Sequence, residues 1–162
     1  MATATQTEFK RDILEGETND KVTSILQDNL TNLIDLALLL KQAHWNVVGP
    51  NFRSVHLQLD EIIETVRDAS DEVAERVSAL GVAPDGRSST VAEHSELKSY
   101  PNEFVRVTET IHLVADAMKT TIDHLREGIE KTGDLDPITE DMLIAISGPL
   151  GKHLWMVQAQ EA

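Results

Sequence analysis

Between Val22 and Leu80 the sequence carries two long runs in which apolar residues recur at helical spacing, separated by Gly49-Pro50. In the first run Val22, Ile25, Leu26, Leu30, Leu33, Leu36, Ala37 and Leu40 share one stripe. In the second, Val55, Leu59, Ile62, Val66, Ala69, Val73, Val77 and Leu80 do the same until Gly81 closes it. A strand alternates its side chains with a period of two, so it cannot present such a stripe; a helix can, and must bury it against another helix. The first helix is expected from Asn19 or Asp20 to the Gly49-Pro50 breaker. The second, capped by Asn51, runs for about 29 residues, or roughly 43 Å.

A polar linker follows, with Pro84, Asp85, Gly86 and Ser88 to Thr90, and a short helix is expected within it from Val91 to Leu97. Asn102 opens a third helix that keeps Phe104, Val107, Ile111, Val114, Met118, Ile122, Leu125 and Ile129 in register and ends near Gly133. Asp136-Pro137 reads as a cap followed by proline at the first helical position, and starts a fourth helix toward Val157. Pro149, inside "SGPLG", removes a backbone donor at a cost of about 3 kcal/mol, so a kink or restart is expected there. No strand signal competes. The pattern is all-α: four long amphipathic helices, with a tight turn after the first and a long crossover carrying a short helix between the second and third, as in a four-helix bundle.

The length suits one domain. Residues 1–18 are polar and aperiodic and read as a flexible N-terminal arm, leaving 19–162 for the bundle. The N-terminal segment lacks an apolar stretch of signal-peptide type, and the most hydrophobic run, Leu33 to Leu40, is short and contains Asp35, so a cytoplasmic location and no membrane span are expected. With 28 acidic against 14 basic residues the net charge is −14, which repels duplex DNA and anionic membranes and favours cations. Cysteine is absent, so thiolate sites and cysteine nucleophiles are excluded and metal chemistry rests on His, Asp and Glu.

Those residues are not scattered. If the first two helices fold back about Gly49-Pro50, His44 and His56 lie similar distances from the bend and can sit side by side. On the second helix His56 and Asp60 are i,i+4 neighbours, as are Asp71 and Glu75. Measured from Leu59, these four fall at about 60°, 100°, 120° and 160°, on one flank beside the core. Yet Asp60 and Asp71 are about 16 Å apart along the axis, several times the ~2 to 2.5 Å of a metal-ligand bond. A second copy packed antiparallel across a two-fold axis would bring Asp71 and Glu75 of one subunit against His44, His56 and Asp60 of the other. Imidazole with carboxylates suits Fe(II), Mn(II) or Zn(II). The competing reading makes each histidine a packing residue and each acid pair part of a solvated face.

The segments "KQAHWNVVGPNF" (41–52), "VHLQLD" (55–60), "DEVAERVSALG" (71–81), "LKSYP" (97–101) and "KHLW" (152–155) resemble the Dps family, the mini-ferritins of the ferritin-like superfamily. The resemblance implies a hollow homododecamer with a ferroxidase centre at each dimer interface, which oxidises Fe(II) preferentially with hydrogen peroxide and stores Fe(III) inside, protecting against oxidative stress. It implies no organic cofactor. Carried over residue by residue, His44, His56 and Asp60 belong to one subunit and Asp71 and Glu75 to the partner. Asp60 and Glu75 are then the direct carboxylate ligands with His56 beside them, and His44 and Asp71 act on a weaker second iron or through water. Trp45 falls near the site, where its indole can be oxidised in place of a released radical; its plainer role is packing at the interface. Asp134, Asp136, Glu140 and Asp141, at the start of the last helix, are candidates for an acidic iron-entry pore; the alternative is a helix cap at Asp136 and a solvated first turn. "ETIH" (109–112), solitary, reads as a surface pair.

Two rivals belong to other classes: a metal-dependent hydrolase of small amide or ester substrates, and a shell that compacts DNA. Turnover of such substrates that persists without peroxide and disappears in His56→Ala would mark the first. The N-terminal arm holds only Lys10 and Arg11 among Glu8, Asp12, Glu15, Glu17 and Asp20, so DNA binding is expected to be weak or absent. Plasmid mixed with the protein at low salt should keep its gel mobility; retarded plasmid would favour the compacting shell.

Overall fold

The computed structural model describes residues 11–162. The N-terminal arm expected over 1–18 lies mostly outside the described residues. Helix α1 spans Gly16–Asn46, α2 Phe52–Ala79, the short α3 Ser88–His94, α4 Val107–Thr132 and α5 Pro137–Gln158. The long helices pack as an antiparallel hairpin of α1 with α2 and a second hairpin of α4 with α5, joined by contacts of α1 with α4 and of α2 with α5. This is the four-helix bundle with a crossover that the stripes predict. Its core is built from the same stripes: Leu26, Leu33, Leu36, Leu40, Leu59, Ile62, Val66, Met118, Leu125, Leu143 and Leu150 are all essentially inaccessible. Among the described residues no helix is long and apolar enough to cross a membrane.

The bend between α1 and α2 needs left-handed backbone at Gly49 (φ 118°) and Asn51 (φ 63°), which glycine and asparagine tolerate best. Asn51 therefore occupies the cap position, but its side chain makes no capping hydrogen bond, in contrast to the expectation. At the other end of α2, Gly81 (φ 81°) donates to the Ser78 carbonyl while Val82 reaches back to that of Val77, a Schellman closure.

Four local expectations are corrected. The chain does contain strand pairing: β1 (Val47–Val48) and β2 (Val105–Arg106) form a two-residue parallel ladder, Val47 opposite Val105 and Val48 opposite Arg106. Two residues are too few to give a period, and they pair because the exit of α1 and the entry to α4 run side by side. Helix α4 therefore starts at Val107, and Phe104 is not in its stripe but 76% exposed in the linker. The short helix lies earlier than expected because Ser95 turns to hydrogen-bond Asp35 and the Glu96 N–H donates to Asn32 Oδ1, which pulls the chain off helix after His94 and onto α1. Finally, α5 runs unbroken through Pro149. Pro149 and Ala145, whose carbonyl loses its N–H partner, lie on the exposed side, while Ile146, Leu150 and Leu154 hold the opposite side in the core.

Asp136 does cap α5. It is 5% exposed, its Oδ2 accepts from the Thr139 N–H and hydroxyl, and Arg76 of α2 donates to it at 2.6 Å and to Thr139 Oγ1 at 3.1 Å. Burial raises the Asp136 pKa, but the hydrogen bonds from Thr139 and Arg76, with the guanidinium charge, outweigh it and hold the carboxyl below 3.8. Its stabilising contribution is thus complete above that ordinary value and is lost as pH falls through the lower folded one. Asp136→Ala should cost about 3 kcal/mol, since it removes a cap and strands a largely buried guanidinium. Asp136→Asn should flatten the acid limb of thermal stability measured against pH at matched protein concentration.

Candidate metal site

The fold places the two predicted histidines face to face. The His44 and His56 rings stack at 3.6 Å between centroids with 21° between planes, and Phe52 presents its edge to His56 at 6.3 Å. Each imidazole also reaches across the bend: His44 Nδ1 lies 2.8 Å from the His56 carbonyl oxygen, and His56 Nδ1 lies 2.8 Å from the His44 carbonyl oxygen. A carbonyl only accepts, so in both rings Nδ1 carries the hydrogen. The neutral rings then keep Nε2 unprotonated, the form in which imidazole binds a metal.

Asp60 stands one turn after His56 on α2. Its Oδ1 accepts from Lys41 Nζ at 2.7 Å and lies 3.3 Å from His44 Nδ1. The Lys41 hydrogen bond lowers the Asp60 pKa; burial opposes it, and the electrostatic influence of the neighbouring His44, Lys41 and His56 adds to the lowering. The group is therefore a carboxylate at neutral pH. Lys41 is the neighbour of Asp60 that sequence reasoning missed. It lies three residues before His44, so it shares the site's side of α1, but its contact with Asp60 depends on how α2 is rotated against α1.

Asp71 and Glu75, by contrast, are exposed and lie toward the far end of the uninterrupted α2, about 16 Å and about 22 Å from Asp60 along the axis. Among the described residues of one subunit, no three His, Asp or Glu side chains come together to hold a metal ion. One chain thus carries two separated groups: a histidine pair with Asp60, and a pair of exposed carboxylates. Trp45 is 65% exposed beside His44, and exposed Leu38 lies on the same side of α1 as Lys41 and Trp45. With half-exposed Phe52 they leave an apolar margin around the histidine pair.

Of the acids at the start of α5, Asp134 and Asp141 are exposed, Glu140 folds back to within 3.1 Å of where a Cβ on Gly133 would sit, and Asp136 is committed to its cap and ion pair. The Glu109–His112 pair does not form a site: His112 is exposed and its Nδ1 bonds Glu161 Oε1 at 2.8 Å. His153 of "KHLW" packs between α5 and α2, its Nε2 at 2.9 Å from the Thr65 hydroxyl; burial lowers its pKa, with Glu61 opposing and Lys152 assisting.

A family model described as a ferritin-like domain matches residues 23–161. The chain is 41% identical over 142 residues to the fine tangled pili major subunit of Haemophilus ducreyi, covering 88% of this chain and 75% of that one. It is 42% identical over 140 residues to the DNA protection during starvation protein of Mycolicibacterium smegmatis, covering 85% of this chain and 75% of that one. A solved structure of Mycobacterium smegmatis Dps superposes with a TM-score of 0.89 at 38% identity, covering 95% of this chain and 93% of that one. Dps from Microbacterium arborescens in its high iron form superposes with a TM-score of 0.87 at 28% identity, covering 93% and 98%.

The histidine geometry predicts an uncommon tautomer. Magic-angle-spinning 15N spectra of the metal-free protein should show both neutral rings protonated at Nδ1; protonation at Nε2 in either ring would contradict the reciprocal bonding.

Proposed function

The chain belongs to the Dps mini-ferritins of the ferritin-like family, and from that membership we propose that it oxidises Fe(II), with hydrogen peroxide as the preferred oxidant, at sites shared between subunits of a hollow homododecamer that stores the Fe(III) product. The observation that carries this reading is the split of ligands: His56 and Asp60 at one end of α2, with His44 of α1 stacked on His56 and both Nε2 atoms free, and two exposed carboxylates toward the other end. Two antiparallel copies make the halves meet twice, once at each end of a two-fold interface. The apolar margin of Leu38, Trp45 and Phe52 supports burial of this face by a second copy.

In this site His56, Asp60 and the Glu75 supplied by the second copy hold ferrous iron, with His44 and that copy's Asp71 serving a weaker second position. One peroxide accepts one electron from each of two ferrous ions and, with two protons, leaves two ferric ions and two waters. Carboxylates favour the ferric product over the ferrous substrate because the added charge is better matched by anionic oxygen. Trp45 stands where it can give up an electron to a stray oxidant. Asp134, Glu140 and Asp141 supply negative charge for iron entry, while Asp136 holds their helix in place.

With a net charge of −14, the protein guards DNA by consuming iron and peroxide rather than by coating it, and we place it in the cytoplasm. The test is anaerobic Fe(II) loading followed by a peroxide pulse, read as Fe(III) absorbance and particle mass. Wild type should oxidise rapidly and retain a soluble mineral, and Asp60→Ala/Glu75→Ala should be slower by roughly 100-fold. Oxidation at the buffer rate in both proteins would end the ferroxidase reading.

A further inference from the structure

The side chain nearest the Asp60 carboxylate is itself a cation. Lys41 Nζ sits 2.7 Å from Asp60 Oδ1, with the lysine side chain only 28% exposed, so this is a directed, partly desolvated contact rather than a loose surface pair. Asp60 Oδ1 also faces His44 Nδ1 at 3.3 Å, which leaves Oδ2 as the oxygen free to take a metal. We infer that Lys41 is a resident monovalent occupant of the shared site, and that its ammonium limits each site to one tightly held divalent cation.

The charges set the limit. A metal needs an unprotonated Nε2, so with their Nδ1 hydrogens on backbone carbonyls both histidines would enter as neutral ligands. Asp60 with the Asp71 and Glu75 of a second copy brings three negative charges, and Lys41 cancels one. The two that remain balance one divalent ion; a second would leave the partly buried cluster two positive charges in excess. Replacing Lys41 by a neutral residue restores three negative charges, and two divalent ions then leave a single excess. Lys41 also occupies Oδ1, so that oxygen is not available to a second ion while the contact holds. On this account Lys41 is a specificity residue: it touches the ligand, not the reacting atoms, and it is what makes the second iron position weak. The inference rests on the shared-site reading proposed above.

Anaerobic Co(II), which is redox-inert here and coloured when bound, separates the two ideas when titrated by calorimetry and absorbance into assembled particles. Wild type and Lys41→Arg should bind one strong Co(II) per subunit. Lys41→Met and Lys41→Gln should keep that ion and bind a second at least about tenfold more tightly than wild type does. The inference is overturned if the neutral variants keep the wild-type profile, if they lose the first ion, if wild type already holds two ions equally tightly, or if neither neutral variant assembles by particle mass. Asp60→Ala/Glu75→Ala tests the other idea: strong Co(II) binding that survives there would sink the shared site, whatever Lys41 does.

Discussion

The carbonyl of His44 lies in the last turn of α1, where no helical N–H follows to meet it, and the Nδ1–H of His56 on α2 supplies the missing donor. The His44 ring returns the bond to the His56 carbonyl, and the two imidazoles stack across the bend. This reciprocal clasp fixes the rotation of α2 against α1. A shift of one residue would turn His56 by about 100° away from its partner, and Asp60 with it. With the rotation set, Leu59 and Ile62 enter the core while Asp60 meets Lys41 on the flank. The same contacts that close the hairpin thus build half of the proposed site.

The length of α2 decides what the other half can be. An unbroken helix of 28 residues is a rigid spacer, and it keeps Asp71 and Glu75 away from Asp60 in the same chain. Its far end is anchored as firmly as its near end: Arg76, adjacent to Glu75, is tied to Asp136 and Thr139 at the start of α5. The two exposed carboxylates are therefore presented from fixed backbone, which lowers the ordering cost of meeting a metal and a second subunit. In the proposed assembly, the acids at the start of α5 and the oxidation site are then mechanically continuous through one ion pair.

Much of this was legible in the sequence because helical packing writes itself as periodicity. The stripes on both sides of Gly49-Pro50 set α1 and α2, and equal distances of His44 and His56 from the bend place the rings together. Asp136-Pro137 marked the start of α5 for a local reason, since a cap and its N–H lie three residues apart. What escaped depends on distant partners. The β1–β2 ladder exists because two chain segments happen to run side by side, and α3 ends where Asp35 and Asn32 on α1 capture Ser95 and Glu96. Pro149 misled because its cost depends on which face it occupies, and it faces outward. The Lys41–Asp60 contact was invisible for a related reason: in sequence Lys41 is one more lysine on a helix flank, and only the crossing of α1 and α2 sets it on Asp60.

The central claim is that each oxidation site needs two subunits, and subunit mixing tests it most directly. His56→Ala/Asp60→Ala and Asp71→Ala/Glu75→Ala are each expected to be inactive alone. Co-assembled at equal ratio, half of the two-fold interfaces pair unlike subunits, and each such interface holds one intact and one doubly damaged site, so peroxide-driven Fe(II) oxidation should recover to about a quarter of wild type. Mixed particles as inactive as either parent would contradict a shared site and return the histidine pair and the distant carboxylates to separate roles.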